Sequence, residues 1–372
     1  MKFQVEQAAL AQVLQKVLSI TEKKTTMPVL SNVMIAAPDH ASAHLTFYAT
    51  DLELSLRTSI GGVIHSEGST TVSARKMLEI IREVGHGPVT VEEQPNNRLI
   101  VEAGRSRFEL PTIPAVDFPY LKFYEDTPFE SCDGNLLEKC LEKTLYGIPL
   151  EEDPFSVSGL FLHATETDEL RFVASDGHRL VYFQVPSSAL PPLEIGTGII
   201  IPRKGVVEIV RILEKEKDVS IGVHENCLTL RSPLSTLSIQ LLEGGFPEYD
   251  LIIPAERPFR FTVAREAFYH ALKRVAVVTD QRWRHVRFIV TQGSLELDAG
   301  NPEMGNANDA VDIGDYRGEP FSVAFNIRYV MDAIQVMKSP EVTFEWVDEY
   351  HGGVFLGSED PEYFSLIMPM VL

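Results

Sequence analysis

The sequence predicts an α+β protein made of three tandem copies of a two-helix plus antiparallel-sheet domain. Three observations predict it: equally spaced motifs, two amphipathic helical segments per copy, and short alternating segments between them. The spacing comes first. "YATDLELSL" begins at Tyr48, "VASDGHRLV" at Val173 and "LDAGNPEMG" at Leu297, so that Ala49, Ala174 and Ala299 stand 125 residues apart each time. "VSARKMLEIIREV" (72–84) is answered by "IPRKGVVEIVRIL" (201–213), with one residue inserted, and "FNIRYVMDAIQVM" (325–337) takes that place in the third copy. "IPAVDFPYL" and "LEGGFPEYDL" put Pro119 and Pro247 in matching positions. A period this long marks a duplicated domain and not a solenoid. Three copies fill the 372 residues as domains 1–125, 126–253 and 254–372.

Each copy opens on a helix. Leu10, Val13, Leu14, Val17 and Leu18 follow the i, i+3, i+4, i+7 pattern of one buried face. Leu137, Cys140 and Leu141 do so in copy two, and Phe268, Ala271, Leu272 and Val275 in copy three. A second helix per copy is marked by Leu78, Ile81 and Val84; by Val206, Val210 and Leu213; and by Val330, Ala333, Ile334 and Met337. Between them, "HLTFYAT", "RLIVEA", "SRFEL", "NCLTLRS", "STLSIQLL" and "PEVTFEWV" alternate with strand period and are bounded by turn residues. Strands and helices in this arrangement form antiparallel sheet covered on one side by helices.

Apolar content of 44% and charged content of 23% belong to an ordinary globular chain. The start "MKFQVEQAAL" lacks the basic and apolar regions of a signal peptide, and no apolar run approaches the ~18–20 residues of a membrane span. Cys132, Cys140 and Cys227 are odd in number and have no CxxC spacing. They argue against a disulfide framework or a zinc site and point to a reducing cytoplasm. The net charge of −20 is uneven: the helical segments together carry +7, leaving −27 elsewhere. A weakly basic helical face on an acidic body is either an ordinary solvated surface or one that tolerates a phosphate backbone without gripping it.

"ASDGHRL" (174–180) places Asp176, His178 and Arg179 on one turn, as an active site would. Catalysis needs a nucleophile, an oriented base or a metal, and no GxSxG, HExxH, P-loop or paired-His motif is present. The equivalent turns read "ATDLELS" and "AGNPEMG", so Asp51 recurs while the His and Arg do not. A plain turn and a pocket wall specialised in the middle copy both remain. No catalytic, metal or cofactor residue is assigned. A metabolic enzyme with three diverged domains and a protein-only scaffold stand as other readings.

"TVSARKMLEIIREV", "ASDGHRLVYF", "IPRKGVVEIVRIL", "GGFPEYDLIIP", "FNIRYVMDAI", "NPE" and the terminal "MPM" occur in an order that resembles the bacterial beta sliding clamp family, the beta subunit of DNA polymerase III. The resemblance runs from Met1 to Leu372. It implies the DNA clamp fold, closed head to tail by a homodimer into a six-domain ring with helices lining the hole. Such a ring encircles double-stranded DNA without regard to sequence and tethers the replicative polymerase. It is opened by an ATP-driven clamp loader and is not itself an enzyme. The implied partners are a second copy of the chain, duplex DNA, the polymerase III alpha subunit, the loader, and other polymerases and repair proteins carrying a clamp-binding motif, with no membrane.

The resemblance also implies sites. For DNA these are Lys24, Arg75, Lys76, Arg203 and Lys204; the loop near Ile148–Glu152, "IPLEE", is acidic and apolar and is given no DNA contact. For partner peptides the pocket is Val157, Ser175, Gly177, His178, Arg179, Leu180, Pro247, Leu251, Ile252, Asn326, Tyr329, Leu366, Met368, Pro369 and Met370. Leu251 stands where some members have a basic residue, and the tail reads "MPMVL" where "MPMRL" is common, so the rim is more apolar here. For the ring contact, Phe108 and Leu110 would pack on Val277 and Val278, and Lys76, Arg105 and Arg107 would face acids such as Glu303.

Overall fold

Three runs of the same element order appear along the chain. A computed structural model describes residues 1–21, 26–38, 43–125, 128–150, 157–280, 282, 284–314 and 316–371. The first run is β1 (Lys2–Glu6), α1 (Gln7–Ile20), β2 (Asn32–Ala37), β3 (His44–Thr50), β4 (Leu54–Gly61), β5 (Val63–Ser66), β6 (Gly68–Ser73), α2 (Ala74–Glu83), β7 (Pro88–Gln94), β8 (Arg98–Ala103) and β9 (Ser106–Pro114). The second is β10 (Glu130–Asp133), α3 (Gly134–Thr144), β11 (Gly159–Ala164), β12 (Glu169–Ser175), β13 (Arg179–Pro186), β14 (Ile199–Pro202), α4 (Arg203–Leu213), β15 (Asp218–His224), β16 (Cys227–Arg231) and β17 (Ser235–Gln240). The third is β18 (Phe259–Ala264), α5 (Arg265–Val275), β19 (His285–Thr291), β20 (Ser294–Asn301), β21 (Gly305–Gly314), β22 (Phe321–Asn326), α6 (Ile327–Gln335), β23 (Glu341–Trp346), β24 (Gly353–Gly357) and β25 (Asp360–Ile367). Among the described residues the first run differs by the extra strand β5.

Local chemistry accounts for the elements. The helices bury the faces their periodicity marks: Leu10, Val13, Leu14 and Val17 in α1, Phe268, Ala271, Leu272 and Val275 in α5, Val330, Ala333 and Ile334 in α6. Leu18, assigned by its spacing to the same face of α1, lies at the margin and is half-buried. Ser73 caps α2, its Oγ accepting from the Lys76 N–H at 3.4 Å, and Asn326 caps α6 through the Arg328 N–H at 3.1 Å. Strand burial alternates, without a break in β20. Ala49, Ala174 and Ala299 are all inaccessible to solvent. Among the described residues no helix is long and apolar enough to cross a membrane.

The chain divides into two compact units, one of residues 1–134, 191–194 and 211–241, the other of 135–190, 195–210 and 242–372. Among the described residues each holds one antiparallel sheet, of thirteen strands in the first unit and twelve in the second. The central run is shared: β10 and β15–β17 lie in the first sheet, β11–β14 in the second. One pairing rule produces this. The last strand of a run pairs with the third strand after the first helix of the run before it, Leu54–Thr58 with Ile239–Ser235 and Arg179–Phe183 with Ile367–Tyr363.

Candidate functional site

The turn after β12 is held by its own side chains. Asp176 Oδ1 accepts from the N–H groups of His178 (3.1 Å) and Arg179 (3.0 Å), and Ser175 Oγ accepts from Gly177 (3.3 Å). Asp51 does the same for Glu53 (3.1 Å) and Leu54 (2.7 Å), and Asn301 for Glu303 (2.8 Å) and Met304 (3.4 Å). Asp176 is thus the middle member of three equivalent side-chain-to-backbone turns. Gly177 adopts φ +81°, which L side chains rarely take.

Arg179 is what the middle copy adds. Its Nε donates to Asp176 Oδ2 (2.9 Å), Nη1 to Asp332 Oδ2 (2.7 Å) and Nη2 to the Tyr146 carbonyl (2.6 Å). The guanidinium lies 4.2 Å from the Tyr329 ring centroid and 5.0 Å from that of Tyr146. Burial opposes its charge, but Asp332, Asp176 and Tyr146 outweigh that and raise its pKa above the ordinary guanidinium value. A group so held stays charged and fixed. It braces the turn against α6 and has no proton to exchange near neutral pH.

Beneath the turn, Leu180 and Leu366 face each other in register and are both inaccessible. They belong to a buried cluster with Val173, Tyr249, Val354 and Phe364, against which Phe246 and Ile253 pack. The Tyr249 hydroxyl is anchored by His163 Nε2 (2.8 Å) and Arg171 Nη1 (3.3 Å). That anchor fixes the segment carrying Pro247, Leu251 and Ile252, and leaves Leu251 79% and Ile252 48% exposed. The tail closes the other side. The Met368 N–H donates to the His178 carbonyl and the Met370 N–H to that of Ala324, both at 2.8 Å, so Pro369 is strapped between two fixed points. The Met368 and Met370 side chains remain 37% and 39% exposed. His178 is exposed with its ring 6.4 Å from that of Tyr329, and Asn326 caps the same helix. Val157 is half-buried just before β11, its carbonyl accepting from Gly159.

The result is an apolar surface of exposed Leu, Ile and flexible Met over a rigid floor, which suits the apolar side chains of a short segment. Among the described residues no group of three or more His, Cys, Asp or Glu side chains could hold a metal ion. Asp332, Tyr146, Phe246 and Tyr249 join this site without having been singled out by the motifs. Asp332 lies three residues beyond Tyr329 on one helix, and Phe246 and Tyr249 lie within the repeated "GGFPEYDL". Those two signals could have found all but Tyr146.

The residues assigned to DNA are placed differently from one another. Arg75 and Lys76 are exposed in the first turn of α2, Lys76 paired with Glu79 at 2.6 Å. Lys204 is half-buried. Arg203, also half-buried, donates through Nη1 to the carbonyls of Leu145 (2.8 Å) and Ile148 (2.7 Å), so that nitrogen is spent on the protein itself. Lys24 lies outside the described residues, as do Glu151 and Glu152 of the 148–152 loop.

β9, which carries the SRFEL segment assigned to the ring contact, and β21, which was not assigned to it, both have open edges. β9 pairs with β8 through Ser106–Pro111 and with β6 only from Thr112 onward. β21 pairs with β20 through Gly305–Asp312 and with β18 only at Ile313 and Gly314. Among the described residues the second edges of 106–111 and 305–312 have no strand partner. Phe108 and Leu110 are half-buried, and Arg105 and Arg107 are exposed, Arg107 lying 3.3 Å from Glu102. Val277 is 77% exposed, Val278 half-buried and Glu303 exposed.

Comparison with known proteins agrees with this architecture. The N-terminal, central and C-terminal domains of the DNA polymerase III beta subunit match residues 1–122, 132–248 and 250–371. The chain is 32% identical over 377 residues to a beta sliding clamp of Caulobacter vibrioides and 29% identical over 374 residues to that of Escherichia coli K12, covering all of each. A solved beta sliding clamp of Caulobacter crescentus superposes over the whole of both chains with a TM-score of 0.90 at 32% identity, and a DNA polymerase III beta subunit of Pseudomonas aeruginosa with 0.88 at 28%. The repeated fold, its full-length match and these relatives together place the chain in the bacterial DNA polymerase III beta subunit family, the beta sliding clamps.

Proposed function

We propose that two copies of this chain close head to tail into a ring around duplex DNA, and that the groove beside "ASDGHRL" tethers the replicative polymerase to it. The pairing rule supports this. β4 takes β17 and β13 takes β25, which leaves β21 and β9 as the two strands awaiting the same partnership. A second copy satisfies both, with Phe108 and Leu110 against Val277 and Val278, and with Arg105, Arg107 and Lys76 near Glu303. Unpaired edges of this kind otherwise invite non-specific association.

In this reading the helices face the DNA, and Arg75, Lys76 and Lys204 meet phosphates without reading bases. Arg203 is better suited to holding the Leu145–Ile148 turn. The protein is non-catalytic, needs no cofactor and works in the cytoplasm. Its peptide partners are the polymerase alpha subunit, the loader, and other polymerases and repair proteins sharing the motif. The groove is tested by the double variant Met368→Ala, Met370→Ala titrated with the clamp-binding peptide of the alpha subunit. Loss of two central apolar anchors is expected to weaken binding at least about tenfold with the dimer mass unchanged. Unaltered affinity would place the docking surface elsewhere.

A further inference from the structure

The seam between β4 and β17 in the first unit has chemistry opposite to that of the docking groove. Arg57 and Thr236 are cross-strand partners there, where the equivalent pair in the second unit is Tyr182 and Phe364. Stacked rings 4.7 Å apart are replaced by a guanidinium 3.4 Å from a hydroxyl. Two clefts of about 610 and 760 Å³ open at this place and share Tyr48, Arg57 and Glu125. The Arg57 guanidinium lies 5.0 Å from the Phe123 ring centroid, and that of Arg231 lies 3.5 Å from the centroid of Phe129.

Among the described residues the positive charge here is under-compensated. Arg231 Nη2 makes only long contacts to the carbonyls of Phe123 (3.5 Å) and Tyr124 (3.4 Å), and its buried Nε has no acceptor among the described residues. Among the described residues lining the cleft the counter-charge is Glu125, paired with Arg57 and 63% exposed. Burial, and then the proximity of Arg57, pull the Arg231 pKa below the ordinary guanidinium value. The hydrogen bond from Arg57 in turn holds the Glu125 carboxyl below the usual carboxylate range, with Arg231 adding to it. Among the described residues lining this cleft, two guanidiniums accompany one carboxylate, in a chain of net charge −20.

We propose that this cleft is an oxyanion site that takes a phosphate group between Arg57 and Arg231, with Glu125 standing in for the ligand until it is displaced. A phosphate brings nearly two charges and three strong acceptor oxygens, a better match for two guanidiniums and the Thr236 hydroxyl than one carboxylate. The site does not depend on the ring or on the peptide groove.

The test is equilibrium binding of inorganic phosphate to the intact protein at constant ionic strength, with acetate as the carboxylate control and phenyl phosphate as the esterified source. Saturable phosphate binding is expected. It should tighten about threefold or more in Glu125→Gln, which removes the internal competitor, and weaken about tenfold in Arg57→Gln or Arg231→Gln. Tighter binding of phenyl phosphate assigns the site to a phosphate ester, and equal binding to the free ion. The proposal is overturned by acetate binding as well as phosphate, by phosphate failing to saturate, or by Glu125→Gln leaving the affinity unchanged. The last variant keeps both arginines, so the test survives if an arginine variant does not fold.

Discussion

Asp360→Ala is expected to destabilise the second unit by about 3–5 kcal/mol, because it leaves a buried ammonium without its counter-ion. Lys143 Nζ lies 2.7 Å from Asp360 Oδ1, and the two side chains are 4% and 3% exposed. Asp360 Oδ2 also accepts from the N–H groups of Lys338 (2.7 Å) and Ser339 (2.9 Å) and from the Ser339 hydroxyl (3.1 Å). The pair joins α3 of the central run to β25 of the last, and its partners stand 217 residues apart. Burial alone would raise the Asp360 pKa; the Lys143 hydrogen bond and the two backbone donors overcome that and lower it to about 2. A carboxyl depressed in the folded state contributes stability above its unfolded value, near 3.8, and loses it as pH falls toward 2. By linkage that contribution is about 2 kcal/mol. Chemical denaturation should therefore show the wild-type advantage over Asp360→Ala shrinking between about pH 4 and pH 2. The double variant Lys143→Met, Asp360→Ala should recover much of the loss, since no charge is left buried. A single-variant cost below about 1 kcal/mol would mean the pair behaves as a solvated one.

Phe108→Asp is expected to give monomers at concentrations where the wild type is dimeric. On the proposed ring contact, Phe108 of β9 enters an apolar surface formed by Val277 and Val278 of a second copy. An aspartate there would be buried without a cation or a donor, at a cost of several kcal/mol, or at least a hundredfold in dissociation constant. Sedimentation velocity separates the outcomes. Phe108 is only half-buried in the single chain, so the fold should survive and the thermal midpoint of the monomer should stay near that of the wild type. A dimer of undiminished stability would remove β9 from the interface.

Much of this was legible in the sequence, and the reasons are local. Helical faces such as Phe268, Ala271, Leu272 and Val275 follow from period alone, and "HLTFYAT" and "RLIVEA" coincide with β3 and β8. Comparison of the three copies identified Asp176 as a recurring turn residue, and its bonds match those of Asp51 and Asn301. Long-range matters were not legible. Sharing of the central run between two sheets depends on pairings such as Leu54 with Ile239, for which no short stretch of sequence carries a signal. The use of Arg203 on the Leu145 and Ile148 carbonyls, and of Arg179 on Asp332, is a consequence of packing. A basic residue at a helix start looks the same in sequence whether it faces solvent or the protein.

Encirclement is a topological link, and retention on DNA separates it from ionic binding. Protein loaded onto nicked circular DNA is expected to stay bound at about 1 M salt, where the screening length falls to about 3 Å and ionic contacts fade. It should then leave once the circle is cut, because a closed ring slides off a free end. Equal loss from circular and linear DNA as salt rises, or persistence on linear DNA with free ends, would contradict the ring.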